Sequence, residues 1–397
     1  MIVLVINCGS SSIKYQLLDM TDESLIAKGL VERIGLDGSA ISHTTTGKEK
    51  VKKEIPMKDH KEGIKYVMEA LVDPNYGAIK SLDAIDAIGH RVVHGGEKYS
   101  DSVLIDESVI DAIKECMELA PLHNGPNLAG INACRELMPN VPEVASFDTA
   151  FHQTMKPASY LYAIPYKYYE NYKIRKYGFH GLSHMFMAEE TAHLLNIDID
   201  DLKLITCHLG NGASVTAIKH GRSYDTSMGY TPLEGLIMGT RSGDIDPAVI
   251  SAISEKEGIS EGEVTRILNQ ESGVLGISGV SSDFRDLEEA EEKGNARAKL
   301  ALRMFAKRVR FYIGAYMAEM NGVDAIVFTG GIGENDKRMR HLILKNMGNL
   351  GIILDETKNE LKDDTVILSS PNSKVTVIKM AANEELVIAR ETQRLAQ

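Results

Sequence analysis

Residues 3–17 have the sequence VLVINCGSSSIKYQL, which predicts two strands joined by a short turn. The apolar run 3–6 is typical of a strand that is buried on both faces. It ends at the small polar residues 7–12. Apolar and polar residues then alternate from Ile13 to Leu17, as they do in a half-exposed strand. The stretch therefore predicts a β-hairpin with a tip rich in serine and glycine.

A second stretch of the same form lies about half a chain further on. Residues 204–209 (LITCHL) are followed by the Gly/Asn/Ser turn 210–214 and by a second apolar run, 215–218. The two hairpins are similar in pattern rather than in sequence. They indicate that the protein consists of two related halves.

Further buried strands are predicted at 84–88, 144–147 and 325–329, each followed by glycine or by a charged residue. A helix precedes the last of them, because apolar residues recur at spacings of three and four between Leu302 and Met320. Helices that alternate with buried strands predict an α/β fold.

Composition excludes several classes of protein. A chain of 397 residues suggests two or three domains, and 43% hydrophobic with 25% charged residues is ordinary for a globular protein. The formal charge of −12 argues against general affinity for nucleic acid or an anionic membrane. The segment 151–177 is basic and rich in tyrosine. We interpret it as an interface between domains or subunits rather than as a site for single-stranded nucleic acid.

The four cysteines predict a reducing environment. They are far apart in the sequence and form no CxxC motif, so neither a disulfide framework nor a zinc knuckle is expected. The apolar run at 2–6 has no basic segment before it, and no run of about 18 apolar residues occurs elsewhere. We therefore expect a cytoplasmic protein without a membrane span.

Three glycine-rich tips are candidates for phosphate binding, because such turns direct several backbone N–H groups toward one point. They are residues 7–12, 210–214 and 330–335. A GxxxxGK[ST] loop is absent, which excludes a P-loop. Asp336 stands where a dinucleotide fingerprint would have its third glycine, so a Rossmann site is disfavoured. The pattern favours a nucleotide site of another kind.

Two histidine pairs and two arginines allow alternative interpretations. His90/His94 and His180/His184 have zinc-like spacing, but glycines interrupt a helix there and the glutamate of HExxH is missing. A structural role is therefore favoured for His90, His94, His184 and His208. Arg91 and Arg241 could each pair with a carboxylate, such as Asp244 or Asp246. They could equally bind a planar anion, and the sequence leaves both interpretations open. Near the C-terminus, 383–386 predicts a helix start with acidic residues in its first turn.

Together, the motifs resemble those of the acetate kinase family over the whole chain. In order they are NCGSSSIK (7–14), GHRVVHGG (89–96), FDTAFH (147–152), YGFHG (177–181), HLGNG (208–212), MGTRSGDIDP (238–247), TGGIGEN (329–335) and NE (383–384). Cys8 departs from the family, which commonly has serine or alanine there. A thiol at that position predicts sensitivity to oxidation.

The resemblance implies the acetate and sugar kinase/actin-like fold, with two ribonuclease-H-like domains around a nucleotide cleft. The N-terminal domain would comprise residues 1–150 and 384–397 and carry the acetate side, the first phosphate hairpin and the terminal helix. Residues 151–383 would form the C-terminal domain, which binds nucleotide and mediates a homodimer.

The implied reaction is reversible, Mg²⁺-dependent (or Mn²⁺-dependent) in-line transfer of a phosphoryl group from ATP to acetate, giving acetyl phosphate and ADP. Acetate is ionised at neutral pH, so alignment and charge neutralisation could supply most of the catalysis. For Asp148, orienting an arginine or the metal shell is favoured over proton transfer.

The resemblance also implies a role for individual residues. The catalytic group is Arg91, Asp148, His180 and Arg241, and the metal ligands are Asn7 and Glu384. The residues around the acetate, besides Arg91, are the apolar Val93, Leu122, Phe179 and Pro232. The nucleotide residues are Lys14, His208, Leu209, Gly210, Asn211, Gly212, Asp283, Phe284, Arg285, Gly331, Ile332, Gly333, Glu334 and Asn335.

Two alternative functions remain. A propionate kinase or another short-chain acyl kinase would share nearly all of these motifs, and a smaller residue in place of Val93 would admit a longer acid. An actin-like switch or filament protein would keep the phosphate tips but would need neither loop arginine.

Overall fold

The computed structural model describes residues 1–120 and 123–397. The chain divides into two compact units. The first comprises Met1–Gln153 and Asn383–Gln397, and the second comprises Thr154–Ala382. The functional division between an acetate-binding and a nucleotide-binding domain stays a prediction.

The first unit is built on an eight-stranded sheet with the order β5-β4-β3-β2-β1-β6-β8-β7. Its strands are β1 (Ile2–Cys8), β2 (Ser12–Asp19), β3 (Ser24–Glu32), β4 (Ala40–Thr45), β5 (Val51–Glu54), β6 (Ala87–Val92), β7 (Val103–Leu104) and β8 (Glu143–Phe147). Its first three helices are α1 (His60–Val72), α2 (Glu107–Glu115) and α3 (Asn124–Leu137). The predicted hairpin is present: β1 and β2 are antiparallel, with Asn7 opposite Lys14.

The second unit contains a six-stranded sheet with the order β11-β10-β9-β12-β14-β13. Its strands are β9 (Lys203–Leu209), β10 (Ala213–Lys219), β11 (Arg222–Thr226), β12 (Ala325–Thr329), β13 (Thr365–Ile367) and β14 (Thr376–Met380). Its helices are α4 (Pro157–Tyr160), α5 (Lys167–Tyr172), α6 (Gly181–Leu195), α7 (Ala248–Glu257), α8 (Glu261–Gln270), α9 (Gly273–Ser278), α10 (Phe284–Glu292), α11 (Ala296–Glu319), α12 (Gly330–Asn335) and α13 (Lys337–Leu344). The chain then returns to the first unit as α14 (Glu384–Ala396).

The two sheets share one topology. In each, three antiparallel strands are followed by two parallel strands and an antiparallel edge strand: β3-β2-β1-β6-β8-β7 in the first and β11-β10-β9-β12-β14-β13 in the second. This repeat explains why the two hairpins look alike in the sequence. It supports the prediction of two related halves.

Strand β1 is buried on both faces, as its apolar run predicts. Leu4, Ile6 and Cys8 alternate along the strand and join a core with Ile64 of α1. Successive side chains of a strand point to opposite faces, and Val3 and Val5 are equally buried. Helix α14 also packs against β1. A central strand with cover on both faces positions its carboxyl end rigidly.

Two other predictions have different outcomes. The long helix before β12 is confirmed as α11, with Asn295 as its N-cap. The hairpin tip expected at 330–335 is wrong. Gly330, at φ +77°, turns the chain directly from β12 into the short helix α12. In the two described ranges, every helix is too short or too polar to span a lipid bilayer.

Candidate active site

The first group of predicted site residues lies where three neighbouring strands end. Asn7 is in β1, Arg91 is in β6 and Asp148 directly follows β8. These strands are adjacent and parallel, so their carboxyl ends meet at one edge of the sheet. Glu384, the first residue of α14, lies at the same edge, 3.9 Å from Arg91 Nε through its Oε2 atom.

Arg91 is held mainly by Asp148. Its Nε donates to Asp148 Oδ1 at 2.9 Å and its Nη2 to Asp148 Oδ2 at 2.6 Å. Its Nη1 lies 3.4 Å from the Asn7 side-chain oxygen. The Asp148 side chain is 3% exposed and that of Arg91 is 21% exposed. This two-pronged pairing fixes the plane of a guanidinium that still reaches solvent.

Positive and negative side chains lie next to one another at this edge of the sheet. Burial lowers the pKa of Arg91, but Asp148 and Glu384 raise it by more, so the net shift is upward. For Glu385, burial and the neighbouring Glu384 raise the pKa, while Lys14 and Arg91 lower it. Lys14 is therefore close to the acidic start of α14 as well as opposite Asn7. The arrangement favours binding of an anion together with a cation.

Asn7 and Glu384 suit a hard divalent cation. Amide and carboxylate oxygens are the ligands that such ions prefer. Among residues 1–120 and 123–397, no group of three or more His, Cys, Asp or Glu side chains could hold a metal ion. A site with two protein oxygens fits an ion that takes its other ligands from phosphate and water.

Helix α3 holds the chain just after β6. The Val93 N–H donates to Asn127 Oδ1 at 3.0 Å, and the His94 N–H donates to Asn124 Oδ1 at 3.1 Å. Asn127 also donates to the Cys8 carbonyl at 2.7 Å. Sequence reasoning missed both asparagines, since nothing in their spacing distinguishes them from surface residues of a helix.

The predicted acetate pocket is distributed over the chain. Val93, 6% exposed, belongs to the first unit. Phe179 is buried and Pro232 half-buried, and both belong to the second unit. Leu122 lies outside the described residues.

The expected oxidation sensitivity of Cys8 has no support in the structure. The side chain is buried against α3, where a Cβ on Gly130 would lie 2.5 Å from the sulfur. Burial raises the pKa of the Cys8 thiol to about 12. The reactive thiolate is therefore almost absent at neutral pH.

His180 occupies a strained position in the second unit. It precedes α6 with φ 58°, a left-handed conformation that is rare for residues other than glycine. Its Nδ1 is hydrogen-bonded to Ser214 Oγ at 2.9 Å. Strain of this kind persists where the surroundings fix the residue, and it is common at functional sites.

A network of histidines and hydroxyls surrounds His180. His184 is hydrogen-bonded to Ser214 Oγ and Thr206 Oγ1, both at 2.7 Å. The His180 and His208 rings stack with centroids 4.2 Å apart. His184 thus supports His180 through Ser214, which agrees with the structural role that the sequence favours. In the other pair, His90 has a structural contact: its buried Nε2 lies 2.6 Å from Glu143 Oε2.

Arg241 differs from Arg91. Its Nη1 donates to the Pro232 carbonyl at 3.3 Å, and no carboxylate of the described residues forms an ion pair with it. Burial lowers its pKa. Pairing with Asp244 is therefore wrong for Arg241, because Asp244 binds Arg308 instead, at 3.2 Å. Arg91 pairs with Asp148 rather than with Asp244 or Asp246, and its binding to a planar anion stays a prediction.

The tip between β9 and β10 lies beside both His180 and Arg241. A Cβ on Gly212 would lie 3.4 Å from Arg241 Nη1 and 3.7 Å from the His180 ring. The tip is narrow, since the Gly210 N–H donates to the Gly212 carbonyl at 3.1 Å. Next to it, the Gly239 N–H donates to the Asn211 carbonyl at 3.0 Å. The structure thus brings together three motifs that are far apart in the sequence.

In the glycine-rich segment 330–335, Glu334 stabilises its own turn. Its Oε1 accepts from Gly330 N at 2.9 Å, Thr329 Oγ1 at 3.2 Å and Ala382 N at 3.1 Å. Gly331, by contrast, faces open space: a Cβ placed on it would meet no atom of the described residues within 4 Å. The turn therefore leaves its backbone open to a ligand at Gly331.

The segment 283–285 has structural partners of its own. Asp283 caps α10, and its hydrogen bonds with Arg285 lower its pKa to about 2. Phe284 is buried edge-to-face against Phe305, with centroids 4.8 Å apart. The Arg285 side chain is 89% exposed. Contact of these residues with a nucleotide stays a prediction.

Comparison with known proteins establishes the family. Residues 2–390 match the model of the Acetokinase family. The chain belongs to the acetate kinase family. It is 57% identical over 393 residues to the acetate kinase of Alkaliphilus metalliredigens, covering 99% of each chain, and 57% identical to that of Carboxydothermus hydrogenoformans, covering 99% and 98%.

Solved structures agree with this assignment. The Porphyromonas gingivalis acetate kinase matches all of both chains with a TM-score of 0.95 and 47% identity. A propionate kinase from Francisella tularensis matches 99% of both chains with a TM-score of 0.93 and 43% identity. These matches confirm the predicted family, its α/β fold and its phosphotransferase class. An acetate kinase implies ATP and acetate as substrates and a divalent metal ion, whereas the roles of individual residues stay predictions.

Proposed function

We propose that this chain transfers the γ-phosphoryl group of ATP to acetate, giving acetyl phosphate and ADP, and catalyses the reverse reaction. Beside its family, one structural observation supports this proposal. Arg241 is a half-buried guanidinium without an ion-pair partner in the described part of the chain, next to His180 and a glycine tip. Withdrawing a cation from water without a counter-ion is costly even when burial is partial, and an anionic ligand offsets that cost.

The chemistry needs alignment more than acid–base catalysis. A carboxylate oxygen of acetate attacks the γ-phosphorus, the bond to the β–γ bridging oxygen breaks, and ADP leaves. The nucleophile is already ionised, so no group has to remove a proton. Asp148 accepts two hydrogen bonds from Arg91, and we therefore assign it the role of orienting that guanidinium.

The catalytic side chains neutralise and orient the reacting groups. We assign Arg91 and Arg241 to the acetate carboxylate and the phosphoryl oxygens, because a guanidinium binds such planar anions through two parallel hydrogen bonds. His180 would donate to the phosphoryl oxygens, its ring held by Ser214. Fixed donors of this kind stabilise the charge of the transition state.

Asn7 and Glu384 are proposed to hold Mg²⁺, for which Mn²⁺ could substitute because it prefers the same oxygen ligands. When bound, the ion would neutralise charge on the phosphate oxygens. We assign nucleotide binding to Lys14, to the tip 208–212, to 283–285 and to 331–335. Val93, Leu122, Phe179 and Pro232 are proposed to surround the acetate methyl group.

An assay of the purified protein tests the proposal. Acetate, propionate and butyrate are each supplied with ATP and Mg²⁺, and the acyl phosphate is trapped with hydroxylamine. We expect the highest kcat/KM with acetate. Binding of ATP without turnover of any acid would overturn the proposal and favour an actin-like switch.

Propionate kinase activity is the second candidate. The Francisella tularensis propionate kinase shares 43% identity and a TM-score of 0.93 with this chain, so the fold does not separate the two acids. A kcat/KM that is higher for propionate than for acetate would establish this alternative.

We further propose a homodimer formed through the second unit. The segment rich in tyrosine has four large exposed apolar or aromatic side chains: Ile164, Tyr166, Tyr168 and Tyr172. Tyrosine is enriched at protein–protein interfaces. Light scattering of the purified protein should give twice the chain mass of 43.6 kDa. We place the enzyme in the cytoplasm, where its four free cysteines would stay reduced.

A further inference from the structure

The loop 235–244, which carries Arg241, is closed at its base. The Asp244 N–H donates to the Gly235 carbonyl at 3.1 Å, and the Gly235 N–H donates to Asp244 Oδ1 at 2.7 Å. Gly235 and Gly243 both have positive φ, at 105° and 68°. A Cβ at Gly243 would lie 2.4 Å from the Leu236 carbonyl oxygen. The two ends of the loop are therefore packed tightly together.

Helix α11 holds this base through two side chains. Arg308 Nη1 donates to the Gly235 carbonyl at 3.0 Å and lies 3.2 Å from Asp244 Oδ2. The Tyr312 hydroxyl donates to the same Oδ2 atom at 2.7 Å. Residues four apart share one face of a helix, so both side chains can reach Asp244. We call Asp244, Arg308 and Tyr312 the loop-base network.

The location of the Arg241 guanidinium is set mainly by the backbone of its loop, because its side chain has few contacts of its own. The described residues offer its guanidinium no carboxylate, and its Nη1 bonds only the Pro232 carbonyl and contacts the Met238 sulfur, at 3.7 Å. The middle of the loop is anchored separately, since Thr240 Oγ1 donates to the Asn269 carbonyl at 2.9 Å. We therefore expect loss of a contact at the base to shift the loop without unfolding it.

We propose that Asp244, Arg308 and Tyr312 are positioning residues that set the location of the Arg241 guanidinium for phosphoryl transfer. The inference rests on the proposed role of Arg241. A displacement of about 1 Å in a catalytic group can lower the rate by about 100-fold. The network acts on turnover through Arg241 without touching the substrates itself.

Tyr312→Phe is the main test, because it removes a single hydroxyl. Tyr316→Phe is its matched control: Tyr316 is one turn further along α11, and its buried hydroxyl has no hydrogen-bond partner among residues 1–120 and 123–397. We expect Tyr312→Phe to lower kcat by about 10- to 100-fold, with a KM for ATP and a melting temperature close to those of the wild type. Tyr316→Phe should keep the wild-type kcat.

A double mutant separates positioning from general stability. If Tyr312 acts through Arg241, Tyr312→Phe should not lower kcat further in an Arg241→Ala background, because the effects of coupled residues are not additive. An equal loss in both backgrounds would overturn the proposal, and so would a wild-type kcat in both Tyr312→Phe and Asp244→Asn.

The same experiment distinguishes failure of this inference from failure of the proposed function. Unchanged turnover in Arg241→Ala would remove Arg241 from the active site, and the inference with it. An inactive Arg241→Ala together with fully active network variants would overturn the inference alone.

Discussion

Asp148 accepts two hydrogen bonds from Arg91, from Nε at 2.9 Å and from Nη2 at 2.6 Å. The carboxylate is buried, whereas the guanidinium still reaches solvent. Arg241, the other predicted catalytic arginine, has no such partner in the described ranges. The two residues should therefore respond differently to substitution, although both are assigned to the same reaction.

Arg91→Ala and Arg241→Ala should each lower kcat by about 10³- to 10⁵-fold, as expected for an arginine that stabilises a transferring phosphoryl group. Only Arg91→Ala removes an ion-pair partner from a buried carboxylate, so it should also lose about 3–5 kcal/mol of unfolding free energy. Arg241→Ala loses a hydrogen bond worth about 1 kcal/mol. Steady-state kinetics and urea unfolding of both variants check this, and equal stability losses would contradict it.

Glu384→Ala should raise the Mg²⁺ concentration needed for half-maximal activity and lower kcat strongly. If Glu384 only began α14, the variant would lose about 0.3–1 kcal/mol of stability and little activity. Glu385→Ala is the matched control, since it removes the other carboxyl group of the same helical turn. A Mg²⁺ titration of activity and a melting curve, measured for each variant, distinguish the metal-binding role from the helix-start role. Similar Mg²⁺ requirements in both would argue for the helix-start role alone.

Gly331→Ala should raise the KM for ATP without harming the fold. The new methyl group meets no atom of the described residues within 4 Å, and alanine favours a helix over glycine by up to about 1 kcal/mol. A raised KM would then reflect contact between the new methyl group and the bound nucleotide. Gly314→Ala in α11, which also faces open space, serves as the control and should leave KM unchanged. An unchanged KM for Gly331→Ala would remove this glycine from the nucleotide site.

Native Cys8 should resist alkylation at neutral pH. Its thiol is buried, and burial raises its pKa to about 12, so little thiolate is available to react. Mass spectrometry after iodoacetamide treatment of native and urea-unfolded protein measures the labelled fraction. Equal labelling in the two states would show that the site opens readily.

Val93→Ala should improve propionate relative to acetate. Removal of two methyl groups makes room for about one more carbon, and one methylene in an apolar pocket changes specificity by about 10- to 200-fold. Val92→Ala is the control, because the Val92 side chain lies in the core with Phe147. This variant should lose a similar free energy of unfolding, about 2 kcal/mol, without a change in substrate specificity. Measurement of kcat/KM for both acids settles the role, and an unchanged ratio would place Val93 in the core alone.

Elements with local signals are predictable from the amino-acid sequence alone. The apolar run 3–6 and the alternation from Ile13 to Leu17 predict β1 and β2, because strand burial follows a period of two. The helical spacing before residue 320 predicts α11. The start of α14 is likewise predictable, since Asn383 accepts a hydrogen bond from Leu386 N at 3.2 Å as an N-cap. The motifs, read together, also predicted the family.

The pairing of charged groups, by contrast, depends on the three-dimensional fold. Asp148 is 57 residues from Arg91, and the parallel order β1-β6-β8 brings them together. Asp244 is three residues from Arg241, yet its partner is Arg308, 64 residues away. Local sequence patterns indicate the secondary structure of a segment and which of its faces is buried. The partner of a charged side chain depends instead on which distant elements the fold places beside it, and no local spacing contains that information.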